Sequence, residues 1–142
     1  MKASAECVPL LARGVRAASR ARVVPGENAV LVGTGEFAEV ARIAFAEAGA
    51  VVTMVPGIDG LPAPAEASLL IDATGDPEVI LTLLERAAKT ARIVLMETTR
   101  GRTVDVDFYR TVHLRGLEVI GVGEPEPTDV AAAEALLARI RA

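Results

Sequence analysis

Ala29-Val30-Leu31-Val32-Gly33-Thr34-Gly35-Glu36-Phe37-Ala38 decides the fold. Four apolar residues, two of them β-branched, read as a strand buried on both faces. Gly33-Thr34-Gly35-Glu36-Phe37-Ala38 then fits G-x-G-x-x-A. From Glu36 to Ala48 the apolar residues Phe37, Val40, Ala41, Ala44 and Phe45 recur at helical spacing, and Gly49 ends the run. A strand, a glycine turn and a helix in that order form a phosphate-binding unit. Gly33 permits the tight turn, Gly35 lets backbone approach a pyrophosphate, and Ala38 allows the helix to pack close to the strand. The helix N-terminus offers free N–H groups to an anion. The same pattern also suits a tight turn that binds nothing.

The rest of the chain repeats the alternation. Residues 4–22 form a leading helix with Val8, Leu11, Val15 and Ala18 on its apolar side and arginines between them. Val51–Val55 is a second strand. Residues 56–68 hold three prolines and two glycines, a flexible connector with room for one helical turn. Leu69–Asp72 is a third strand. Asp76-Pro77-Glu78 starts a helix, with Asp76 as N-cap and Pro77 at the first helical position. Arg92–Met96 is a fourth strand, Asp105–Leu114 a short helix and Leu117–Val122 a fifth strand. Thr128-Asp129 caps a C-terminal helix within residues 127–142. The expectation is one α/β domain, a Rossmann-like doubly wound parallel sheet of five strands. Its strand order is second, first, third, fourth, fifth, with ligands at the carboxyl ends beside the first and third strands.

Composition narrows the function. The chain has 142 residues, 51 % hydrophobic and 24 % charged, with a net charge of −4. That suits a packed core and argues against nucleic acid as a partner. Only 3 % of residues are aromatic, too few to stack bases. One cysteine, Cys7, and one histidine, His113, exclude a disulfide framework and a Cys/His zinc site. No Ser-His-Asp arrangement can be assembled; His113 reads as a surface residue and Cys7 as a packed one. No stretch has the length of a membrane span without a charge or a proline. The first residues lack the apolar core of a signal peptide, so a cytoplasmic protein is expected.

Val24-Pro25-Gly26-Glu27 through Val30–Gly35 to Ala48-Gly49-Ala50 resembles the start of the coenzyme domain of medium-chain dehydrogenase/reductases, the zinc-type alcohol dehydrogenase relatives. Leu70–Glu78, Ala91–Leu95, Asp107–His113 and Gly116–Gly121 follow in the matching order, and the last pieces resemble the shortened bacteriochlorophyllide-dehydrogenase-like subgroup. The resemblance covers roughly residues 5–122. It implies an NAD(P) cleft lined by Gly33, Thr34, Gly35, Phe37 and Ala38, with Thr74 and Gly75 across it. It also implies a homodimer joined through residues 117–122, or a separate catalytic chain.

The departures from that family are specific. Its catalytic domain, with the zinc ligands, has no counterpart in these residues, so no zinc is expected. Pro56 stands in place of the acid that holds the ribose hydroxyls, and Asp59 comes slightly late. The segment between Val55 and Leu69 is too short for the usual helix–strand–helix, so one strand of six is missing. Glu36 and Glu39 place negative charge in the first turn of the phosphate helix. Glu97 replaces a small residue beside the nicotinamide, and Arg100 and Arg102 follow it as cations that could close the cleft. Two readings follow: a domain that binds a dinucleotide weakly and depends on a partner for redox chemistry, or a non-catalytic interaction module that has lost the cofactor.

Overall fold

The computed structural model describes residues 5–62, 65–97 and 103–142. Five parallel strands form one sheet: β1 (Asn28–Val32), β2 (Val51–Val55), β3 (Leu69–Asp72), β4 (Arg92–Leu95) and β5 (Glu118–Gly121). Their order is β2-β1-β3-β4-β5, as expected. The helices are α1 (Val8–Ala21), α2 (Gly35–Glu47), α3 (Pro77–Arg86) and α4 (Pro127–Arg141). β2 lies on one side of β1 and β3 on the other, so the chain reverses its direction of travel beside the end of β1. That reversal opens a crevice at the carboxyl ends.

Side-chain alternation divides the core. Ala29, Leu31, Leu69, Ile71, Val94 and Ile120 face the layer built by α1 and α2. Val32, Leu70, Ile93 and Leu117 face α3 and the connector. Successive residues of one strand point to opposite faces, so a sheet covered on both sides needs apolar residues throughout, and β1 and β3 have them. α1 packs between α2 and α4, with Leu11, Ala12, Ala17, Ala18 and Ala21 buried. It runs against the strands. Its C-terminal Ala21 carbonyl accepts from Arg92 at the start of β4, 2.8 Å, while its N-terminal half lies at the carboxyl edge.

Several expectations need correction. The predicted helix over 105–114 is a six-residue wide turn, Phe108–His113, of π-helical spacing. Asp107 caps it by accepting from the Arg110 amide, 3.0 Å, and Arg115 ties it to the Leu84 and Ala87 carbonyls at the C-terminal end of α3. The last helix begins at Pro127, within the predicted range, but its cap lies two residues earlier than predicted. Glu126, not Thr128, is its N-cap, and Asp129 accepts from the Glu126 amide at 2.8 Å. The described parts of the connector are bonded to the end of α3. Arg86 donates to the Ile58 and Leu61 carbonyls at 3.1 and 2.9 Å, and Ala65 bridges to Ala87. Proline and glycine content signalled the break in regular structure but not the arginine that holds it.

Candidate functional site

The glycine turn divides its work as its positions imply. Gly33 has φ +153°, and a Cβ there would stand 3.1 Å from the Ala73 Cβ and 3.3 Å from the Ala38 Cβ. This glycine and Ala38 let the ends of β1, α2 and β3 converge. Gly35 has φ +86°, and among the described residues a Cβ built on it meets nothing within 4 Å. Backbone is therefore open to approach from outside at that one residue. Thr34 is the N-cap of α2, in extended conformation, and its side chain makes no capping bond. Thr34, Gly35 and Glu36 are all exposed.

β3 supplies the facing wall. Asp72 is 3 % exposed and accepts from the Thr74 amide at 2.9 Å and the Thr74 hydroxyl at 2.6 Å. Thr74 Oγ1 in turn accepts from the Asp76 amide, 3.0 Å. Gly75 turns the chain at φ +71°, and Asp76 caps α3 through the Glu78 amide. The predicted contacts Thr74 and Gly75 thus stand at the same sheet edge as Gly33–Ala38, oriented by a buried carboxylate. Burial pushes the Asp72 carboxyl above its ordinary value of 3.8, and the Thr74 bonds offset part of that shift.

The raised value fixes the sign of a pH effect. A carboxyl whose folded pKa exceeds its unfolded one favours the fold below the unfolded value, and loses that contribution as pH rises through the folded value. Asp72→Asn keeps an acceptor for Thr74 without a charge to bury. It should melt above the unmodified chain at pH 7, and that advantage should shrink as pH falls toward 4 in thermal unfolding scans.

The third wall comes from α1. The Arg13 guanidinium carbon lies 4.8 Å from the centre of the Phe37 ring. The same group donates to the Met96 carbonyl just past β4 and sits 3.6 Å from the Glu97 carboxylate. Cys7 is buried and donates to Glu36 Oε1 at 3.3 Å. Glu39 pairs with Arg42, whose bond holds the carboxyl below its ordinary value. Arg13 was not singled out from the sequence, although a signal existed. Arg13, Arg16 and Arg20 recur at helical spacing, and all three donate to carbonyls past or at the ends of β4 and β5: Met96, Val122 and Gly121.

Other candidates fall elsewhere. Pro56 and Asp59 are exposed after β2, with Asp59 in a single tight turn, Ile58–Gly60. His113 is exposed and meets Tyr109 edge-on, centroids 6.4 Å apart. Arg100 and Arg102 lie outside the described residues. Among the described residues no group of three His, Cys, Asp or Glu side chains could hold a metal, and no helix is long and apolar enough to cross a membrane.

No known family profile and no curated protein matches the chain. Solved structures do. An alcohol dehydrogenase from Thermotoga maritima superposes with a TM-score of 0.79 at 13 % identity, over 94 % of this chain and 46 % of that one. A zinc-binding dehydrogenase from Sinorhizobium meliloti bound to NADP gives 0.73 at 16 %, over 94 % and 48 %. L-Idonate 5-dehydrogenase from Escherichia coli gives 0.73 at 17 %, over 94 % and 45 %. The shared fold is the finding; the chain spans slightly under half the length of these proteins.

Proposed function

We propose that the chain is a dinucleotide-binding domain of the medium-chain dehydrogenase type, with weak affinity for NAD(P) and redox chemistry that depends on a partner. The open backbone at Gly35, beside a Gly33 packed against Ala38 and Ala73, carries this reading. Gly33 is required by packing, whereas at Gly35 a positive φ coincides with open space at the N-terminus of α2. Thr34, Gly35 and the first amides of α2 would hold the pyrophosphate, and Thr74 and Gly75 would line the opposite side. NAD(P), when bound, supplies the hydride chemistry; substrate contacts and a proton relay would come from another chain. Among its relatives, the shortened bacteriochlorophyllide-dehydrogenase-like subgroup fits best, on the residues from Asp107 to Gly121. With Pro56 at the ribose position, NAD and NADP should bind with similar, weak constants.

Calorimetric titration with NADH and NADPH tests this. Gly35→Val should abolish the binding signal, because a branched side chain would fill the space open to the pyrophosphate. Unchanged affinity in that variant would remove the turn from the site. Absence of binding in the unmodified chain would favour the interaction module, which Glu36 and Glu97 also suit.

Association is the second part of the proposal. The Glu118 amide bonds to the Ala91 carbonyl just before β4, so Leu117, Val119 and Gly121 direct their backbone outward. That edge is partly covered. Arg20 donates to the Gly121 carbonyl, and the Leu117 amide bonds to Val112. Val119 stays at its centre, 41 % exposed, with Phe108 nearby in an apolar groove. A homodimer would pair the Val119 backbones across a two-fold axis; docking on a separate catalytic chain is the rival. Val119→Pro removes the outward N–H and spares the ladder to β4. Sedimentation should show a dimer for the unmodified chain at tens of micromolar and a monomer for the variant; a 14.8 kDa species in both would rule out the homodimer.

A further inference from the structure

The geometry points to Arg13 as a ligand-phosphate contact that Glu97 holds in reserve. The inference rests on the dinucleotide reading and deepens it, since neither residue belongs to the glycine turn. α1 places the Arg13 guanidinium over the ring of Phe37, two residues past Gly35, and beside the end of β4. It therefore stands at the carboxyl edge where the turn opens. A planar guanidinium offers several N–H donors and matches the geometry of a phosphate. Here one donor serves the Met96 carbonyl, and the ring of Phe37 keeps the plane fixed.

Most other described arginines are committed elsewhere. Arg16 and Arg20 hold the end of β5, Arg42 holds Glu39, and Arg86, Arg92 and Arg115 hold the connector, the opposite sheet edge and the turn after α3. Glu36 adds negative charge beside the same turn. Among the described residues, Arg13 is the arginine whose contacts, Phe37 and Met96, lie at this edge.

Glu97 occupies that cation now. Its carboxylate is 3.6 Å from Arg13, beyond hydrogen-bonding distance, and the two side chains are 35 % and 29 % exposed. A half-exposed pair of that length contributes little. A phosphate oxygen bonded directly to the guanidinium makes a stronger, charge-assisted contact. Glu97 is thus an internal competitor: it neutralises Arg13 in the free protein and yields it to a bound phosphate. Weak affinity follows from this competition as well as from the missing ribose acid.

A double-mutant cycle on the full chain tests the coupling, with NADPH as the probe in calorimetric titration. Glu97→Gln should tighten binding by up to about fivefold. Arg13→Gln should weaken it by about tenfold or more, and Arg13→Lys should recover part of the loss. In the Arg13→Gln background, Glu97→Gln should have no effect. Circular dichroism and thermal melting identify any variant that fails to fold, and Arg13→Lys then serves as the second background. Binding that appears first in Glu97→Gln and requires Arg13 also supports the inference. An equal gain from Glu97→Gln with and without Arg13 would mean plain repulsion and overturn it, leaving the dinucleotide reading intact. No NADPH binding by the unmodified chain or by Glu97→Gln would overturn both.

Discussion

Gly14→Leu should lower the melting temperature by roughly 10 °C, from a cost of roughly 3 kcal/mol. Gly14 lies inside α1, where propensity alone disfavours glycine by about 1 kcal/mol relative to alanine. Its reason is the neighbour. A Cβ at this position would stand 2.9 Å from the Ala44 Cβ, 3.5 Å from the Ala41 Cα and 3.6 Å from the Val40 carbonyl oxygen. α1 and α2 meet along a seam of small residues, Gly14, Ala17 and Ala18 against Ala41 and Ala44, which lets the two helices approach closely. A leucine has no room there and would pry the helices apart. The sharper variant is Gly14→Ala. Propensity predicts stabilisation; the 2.9 Å approach predicts a loss, because Ala44 belongs to a rigid helix and cannot swing away. A higher melting temperature for Gly14→Ala would show that the seam is loose. Because α1 also carries Cys7 and Arg13 to the carboxyl edge, a displaced α1 should weaken ligand binding along with stability.

That seam marks the boundary of what the residues disclose in order. The strands were legible because a sheet covered on both faces requires unbroken apolar runs, and Ala29–Val32 and Leu69–Ile71 supply them. The strand order followed from short right-handed connections. The turn at Gly33 and Gly35 was legible because each glycine occupies a position with a stated geometric need. The wide turn at Phe108–His113 was read as an ordinary helix, since apolar spacing does not distinguish four-residue from five-residue hydrogen bonding. In the sequence the arginines of α1 are only the residues between its apolar positions. Each in fact reaches a carbonyl about 80 to 110 positions further along the chain, and no local pattern encodes a partner that distant. Cys7 read as packed, and it is buried. Its carboxylate partner, Glu36, could not be inferred from spacing for the same reason. The candidate site is therefore partly legible: the glycine turn, Phe37, Thr74, Gly75 and Glu97 are named in the sequence reading, and Arg13, which joins Phe37 to Glu97, comes only from tertiary contacts.

Arg92→Leu should be as costly as Gly14→Leu, and it should act without touching the site. Arg92 opens β4 at the amino edge of the sheet, opposite the crevice. It donates to the Ala21 carbonyl at the end of α1 and pairs with Glu27, whose side chain is 10 % exposed against 14 % for Arg92. Glu27 also accepts from the Ser68 hydroxyl at 2.7 Å and from the Val24 amide at 2.9 Å. One carboxylate thus joins the turn before β1, the entry to β3 and the start of β4. Removing the arginine strands a largely buried charge and a carbonyl, at a cost of about 3 kcal/mol or more. Burial by itself would push the Glu27 carboxyl up, but the bonds from Arg92, Ser68 and Val24 outweigh it and hold the group below its ordinary value of 4.5. A carboxyl depressed in the folded state stabilises above its unfolded pKa and loses that contribution as pH falls through the folded one. Without Arg92 two of the lowering contributions are lost, so the Glu27 carboxyl should rise from its depressed value. The gap between the two proteins should therefore be widest near neutral pH and narrow as pH drops below about 4.5. Urea titrations at pH 7, 5 and 4 would measure it. A gap that stays constant over that range would mean that Arg92 works through its bond to Ala21 and not through Glu27. NADPH affinity per folded molecule should be the same in both, since the clamp and the crevice lie at opposite ends of the strands.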